Sequence, residues 1–147
     1  MATKAKPEAS AAAQEAWGLV FELAMVNRAR LVGALDELGL TFPQAHALRV
    51  LDPDRPLPMS DMAERLVCDA SNVTGIADRL EARGLVERRS SVGDRRIKVL
   101  ALTREGAHVR DQVRELMRTP PPAIAALSRA DQRTLRDVLR RAVGRRS

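Results

Sequence analysis

Residues Ser60 to Thr103 read SDMAERLVCDASNVTGIADRLEARGLVERRSSVGDRRIKVLALT, and this stretch decides the fold. Met62, Ala63 and Leu66 repeat at helical spacing, and Ser60 is placed to cap the first turn of that helix through its hydroxyl. After Val67-Cys68-Asp69 a second helix is predicted from Ala70, with Val73, Ile76, Ala77 and Leu80 on one face. Gly84 stops it, because glycine takes the left-handed position that ends helices without a Cβ clash. Two helices joined by a turn of three or four residues form a helix-turn-helix. Leu85–Arg89 and Ile97–Leu102 then read as strands, with residues 90–94 as the turn between them. A hairpin directly behind a second helix makes a winged helix-turn-helix, and Asp94-Arg95-Arg96 stand at the tip of its wing.

In this order and at these spacings the chain resembles the MarR family of winged-helix transcriptional regulators. The residues that carry the resemblance are Met62-Ala63-Glu64-Arg65-Leu66, Ser71-Asn72-Val73-Thr74, Asp78-Arg79-Leu80-Glu81 and Gly84-Leu85-Val86. It continues through Asp94-Arg95-Arg96 to Leu102-Thr103-Arg104-Glu105-Gly106. The resemblance implies a mostly α fold with a small β wing, flanked by N- and C-terminal dimerisation helices. It implies a homodimer on a pseudo-palindromic operator in double-stranded DNA, more often repressor than activator, with a small-molecule effector. No cofactor or enzymatic activity is expected. A winged-helix module that binds protein without specific DNA binding is the alternative class, supported by Gly75 and opposed by the arginine-rich wing.

Composition is compatible with both readings. A chain of 147 residues has the size of one domain. At 45% hydrophobic but only 2% aromatic, its core must be aliphatic. The net charge of +6 favours an anionic partner without saying which. No apolar run approaches the roughly 18 residues of a membrane span, and no signal-peptide stretch opens the chain. With one cysteine, no internal disulfide can form, which suits a reducing compartment. A cytoplasmic location away from membranes is expected.

The predicted organisation is a tail over residues 1–9 and one domain over 10–146. Within that domain a long helix covers 10–38, the winged helix-turn-helix covers 41–103, and further helices cover 104–146. Trp17, Val20, Phe21, Ala24, Leu31, Leu35 and Leu38 give the first helix an apolar stripe longer than a small winged domain needs. Thr41-Phe42-Pro43-Gln44 has the pattern of a capping box. Three prolines between Asp52 and Pro58 make a connector ending in a short edge strand. Thr103 caps a helix to about Arg118, the prolines at 120–122 break it, and Ser128-Arg129-Ala130-Asp131 opens the last helix. Its apolar residues, Leu135, Val138, Leu139, Ala142 and Val143, again exceed one chain's needs.

The candidate DNA contacts are Ser71, Asn72, Thr74, Gly75 and Arg79 on the second helix, with Arg88, Asp94, Arg95, Arg96 and Lys98 on the wing. Short polar side chains near a helix N-terminus suit phosphate oxygens or base edges, and asparagine can pair bidentately with adenine. Many family members carry a basic residue directly after the threonine, where this chain has Gly75. Asp78 stands either to pair with a neighbouring arginine or to meet DNA. From Arg83 to Lys98 there are six basic residues (Arg83, Arg88, Arg89, Arg95, Arg96, Lys98) against Glu87 and Asp94, a local excess of +4. By the family pattern Asp94 orients Arg96, which enters the minor groove, where negative potential attracts a guanidinium. Arg95 serves either as a phosphate contact or as a strut to a neighbouring acid.

The basic residues of the last helix, including Arg129, Arg145 and Arg146, read either as a supplement to DNA attraction or as a solvated face, with the solvated face favoured. Cys68 reads as an ordinary half-buried thiol, since the relatives that sense oxidants carry their cysteine in the amino-terminal helices. His46 and His108 have no metal-ligand spacing.

Overall fold

The computed structural model describes residues 9–67 and 70–144. The expectations for the first eight residues, Cys68, Arg145 and Arg146 lie outside the described residues. Seven helices and three strands follow in the order α1 (Ala11–Glu37), α2 (Phe42–Val50), β1 (Leu57–Pro58), α3 (Met59–Leu66), α4 (Ala70–Ala82), β2 (Val86–Ser90), β3 (Lys98–Leu102), α5 (Arg104–Arg118), α6 (Pro122–Ala125) and α7 (Arg129–Val143). The chain is mostly helical with a small three-stranded sheet, as the sequence predicts.

Most helix starts are set by side chains that satisfy the orphan amides of a first turn. Ser10 accepts from the Ala13 amide, Thr103 from Gly106 and Ser128 from Asp131. Thr41 and Gln44 form the full reciprocal capping box. Ser60 does not cap. The α3 helix begins one residue before it, at Met59, with Pro58 in the N-cap position, and the Ser60 hydroxyl donates to Asp61. Proline, already fixed in φ, starts this helix without a side-chain bond. At the other end Val67 adopts the left-handed conformation, φ 52°. The four-residue α6, with Pro122 in its first turn, follows the proline break and is too short to show in the periodicity.

The sheet order is β1-β3-β2, all antiparallel, with Leu57 opposite Leu100 and Arg88 also opposite Leu100 from the other side. Both wing strands begin one residue later than the sequence suggests. Leu85 precedes β2, and Ile97 lies outside β3 and is exposed. Along β3, Val99, Leu100, Ala101 and Leu102 are all buried. A strand with neighbours on both edges and helices packed around it has no solvent face to require polar residues.

The core gathers Leu35, Leu48, Leu51, Met62, Val73, Leu80, Val86, Leu100 and Val113, one aliphatic cluster drawn from α1 to α5 and the sheet. Two further features lock α4 to its surroundings. A Cβ at Gly106 would lie 1.7 Å from the Leu85 carbonyl oxygen, so only glycine lets α5 start against the end of α4. Thr103 fixes the same junction, its hydroxyl donating to the Gly84 carbonyl at 2.6 Å and its amide to that of Leu85 at 3.1 Å. No described helix is long and apolar enough to cross a membrane.

Candidate nucleic-acid interface

With Val73, Ala77 and Leu80 buried, α4 turns Ser71, Asn72, Thr74, Asp78 and Arg79 outward. At ~100° per residue Gly75, two positions from both Val73 and Ala77, sits on the side opposite the core. A Cβ there would meet nothing within 4 Å. Beside it runs a groove of about 550 Å³, lined among others by Phe42, His46, Asn72, Gly75, Ile76 and Arg79. The Thr74 hydroxyl donates back to the Ala70 carbonyl at 3.0 Å, which holds its side chain against the helix. The Arg49 guanidinium donates to His46 Nε2 at 3.0 Å. Burial first, and the Arg49 charge second, push the His46 pKa below the ordinary value.

The six basic residues from Arg83 to Lys98 divide into two groups. Arg83, though exposed, folds back over the end of α1 and donates to the carbonyls of Leu38 (2.9 Å) and Gly39 (2.5 Å). Arg88 turns inward. Its Nη2 lies 2.6 Å from Asp78 and its Nη1 3.2 Å from Glu81, while Nη2 also donates to the Thr74 carbonyl at 3.3 Å. Its own amide donates to the second oxygen of Glu81 at 2.9 Å. Of the two roles open to Asp78 in the sequence, pairing with an arginine is the one the structure contains. Arg89 pairs with Glu87 on the same strand.

At the wing tip, Asp94 accepts from the Arg96 main-chain amide at 2.9 Å, which fixes the backbone that carries the arginine. Arg95 and Arg96 are exposed, and among the described residues neither side chain makes a salt bridge or hydrogen bond within the chain. Lys98 reaches across the hairpin to the Ser90 hydroxyl at 3.0 Å, matching the pairing of these residues in the ladder. The structure therefore gathers Ser71, Asn72, Gly75 and Arg79 on one helix face, and Asp94, Arg95 and Arg96 at one tip. Arg88 lies between the two, engaged with acids. Sequence reading missed the roles of Glu81 and Arg83. The only signal for Arg83 was the run of orphan carbonyls at the end of the first helix.

Comparison with known proteins matches this architecture. The family model described as MarR family fits residues 40–98. The chain is 31% identical over 104 residues to the organic hydroperoxide resistance transcriptional regulator of Bacillus subtilis, covering 71% of this chain and 68% of that one. The chain belongs to the MarR family. As such it is a DNA-binding transcriptional regulator rather than an enzyme. The fold agrees with the crystal structure of the YusO protein from B. subtilis, at 25% identity and TM-score 0.72 over 92% of this chain and 98% of that one. It also agrees with a mutant of S. aureus MepR solved bound to an oligodeoxyribonucleotide, at 19% identity and TM-score 0.64 over 86% of this chain and 95% of that one.

Proposed function

We propose that this MarR family member works as a homodimer, joined through residues 10–38 and 104–146, that binds a pseudo-palindromic operator and represses transcription. The observation that carries the dimer is apolar surface left uncovered on α1 and α7: Trp17 is 69% exposed, Val26 70% and Val143 81%. A two-fold dimer presents two copies of α4 to successive major grooves, about 34–36 Å apart. Ser71, Asn72, Thr74, Gly75 and Arg79 would face the groove, with Arg95, Arg96 and Lys98 near the flanking backbone and minor groove. Both copies of each contact act together, because the interface is symmetric.

A small ligand between the helical base and the winged lobes would shift operator affinity only by favouring one separation of the lobes over another. With so few aromatic residues, its pocket would have aliphatic walls with arginine or polar groups nearby. If phenolic carboxylates and a small metabolite panel leave operator affinity unchanged, ligand control by those classes is refuted. DNA binding itself is tested by titrating duplex DNA, enriched from a random library by the protein, at a series of salt concentrations. Log affinity should fall linearly with log salt, with a slope of about −0.9 per phosphate neutralised. A salt-insensitive complex would overturn the proposed mode.

A further inference from the structure

We propose that Arg88 is a positioning residue rather than a DNA contact: it clamps the wing to the recognition helix and so sets the angle at which both meet the duplex. This rests on the DNA-binding mode proposed above and adds to it the device that holds its two reading surfaces in register.

Three observations carry the inference. First, the guanidinium is already engaged on both terminal nitrogens. Asp78, Glu81 and the Thr74 carbonyl receive its donors at 2.6, 3.2 and 3.3 Å, and the Arg88 amide adds a fourth bond to Glu81. All three acceptors belong to α4, and the donor belongs to β2. Bonds from a charged donor to charged acceptors are about twice as strong as neutral ones. Second, the local charge is wrong for a phosphate site. One arginine stands against two carboxylates, so an approaching phosphate meets a net negative cluster. Third, the side chain is only 25% exposed, whereas Asp78 and Glu81 are 60% and 42% exposed on the outer side of the pair.

Geometry gives the clamp its leverage. Arg88 is paired with Leu100 across the ladder, so whatever holds β2 also holds β3 and the tip beyond it. From Arg88 to Ser90, where the paired strand ends, is roughly 7 Å, at ~3.3 Å per residue. Over that length a tilt of ~15° moves the strand end by about 1.7 Å, and the tip beyond it by more, enough to break a hydrogen bond. Arg96 at the tip and Asn72 and Arg79 on the helix would then no longer fit one duplex at once.

The two roles of Arg88 predict opposite signs for removal of its acids. The full-length D78N/E81Q variant keeps Arg88 and subtracts negative charge from the DNA-facing side. A direct contact would thereby be freed, and operator affinity would hold or rise. A clamp would be slackened, and specific affinity should fall by roughly tenfold, the scale of coupling within such networks. Arg88→Ala should show the same loss. In both variants affinity for random duplex should be retained, so that the ratio of specific to random binding collapses; a mere loss of folded protein would lower both together. The salt slope should stay at the wild-type value, whereas loss of a phosphate contact would reduce it by about 0.9 per site. The probes are the enriched duplex and a random duplex, with circular dichroism confirming folding. Unchanged or tighter specific binding by D78N/E81Q, with a reduced slope for Arg88→Ala, would overturn the clamp while leaving DNA binding intact. A wild type that enriches no duplex would instead remove the binding mode, and the clamp with it.

Discussion

In the winged lobe, from Leu40 to Val113, large aliphatic side chains of α2 to α5 and the sheet converge on one buried cluster. In the terminal helices, side chains of the same chemistry meet water. Every residue from Ala11 to Glu22 is exposed, Leu35 is the one buried residue of α1, and α7 buries none. The lobe is finished by the folding of one chain, whereas the terminal helices leave open the apolar surface that the proposed dimer would cover. Burying apolar area is worth about 25 cal/mol per Å², so the exposed stripe that includes Trp17, Val20 and Phe21 represents stabilisation that a single copy leaves unrealised.

The lobe should tolerate least where backbones touch. Gly106→Ala places a Cβ 1.7 Å from the Leu85 carbonyl oxygen, and no side chain can move aside to relieve it. A loss above about 4 kcal/mol is expected, seen as collapse of the thermal transition; a wild-type melting temperature would show that α5 does not seat against Leu85 in this way. The terminal helices should fail differently. Replacing Trp17 and Phe21 together by glutamate removes no core residue, so the lobe should stay folded while the dimer dissociates, on the scale of interface hot spots, about 2 kcal/mol or more each. Light scattering that still reports a dimer would place the interface elsewhere.

A smaller effect, of opposite sign, is expected on the outer face of α4. Gly75 lies within a helix, and nothing occupies the space of its absent Cβ. Gly75→Ala should raise stability by about 1 kcal/mol through helix propensity alone, and a lower melting temperature would contradict the open space seen there. The smallest effect concerns pH. Burial, and after it the Arg49 charge, lowers the His46 pKa in the fold, so the unfolded chain binds more protons near its ordinary pKa of about 6.5. Stability should therefore be full above that pH and decline as pH falls through it. His46→Gln should flatten this slope in denaturant titrations between about pH 5 and 8; an unchanged slope would assign it to other groups.

Local features were legible in the sequence. Thr41, Thr103 and Ser128 announced their helices because a cap needs only a hydroxyl and an amide three residues away. Gly84, with φ +68°, marked the end of α4 for the same local reason. Ser60 misled because Pro58 had already fixed the start of α3. What stayed hidden depends on contacts distant in sequence. Arg83 meets carbonyls 44 and 45 residues away, and Arg88 meets acids on another element, so both counted as free positive charge when read along the chain. The buried run in β3 was hidden because periodicity cannot show that both faces of a strand are covered. Asp94 and the exposed pair Arg95 and Arg96 could be read together because a tight turn keeps them adjacent.

The proposed binding mode turns most on Arg96, which projects from the wing tip on a backbone that Asp94 holds. Operator affinity of wild type, Arg96→Ala and the control Arg129→Ala, measured by fluorescence anisotropy on the enriched duplex, tests it directly. Because Arg96 is exposed and contributes no core volume, its removal should change stability by no more than about 0.5 kcal/mol. At roughly 1–3 kcal/mol per good contact, counted twice in a symmetric dimer, affinity should fall by at least about tenfold, and Arg129→Ala should change it far less. Equal affinity for wild type and a folded, dimeric Arg96→Ala variant would contradict the wing's part in binding.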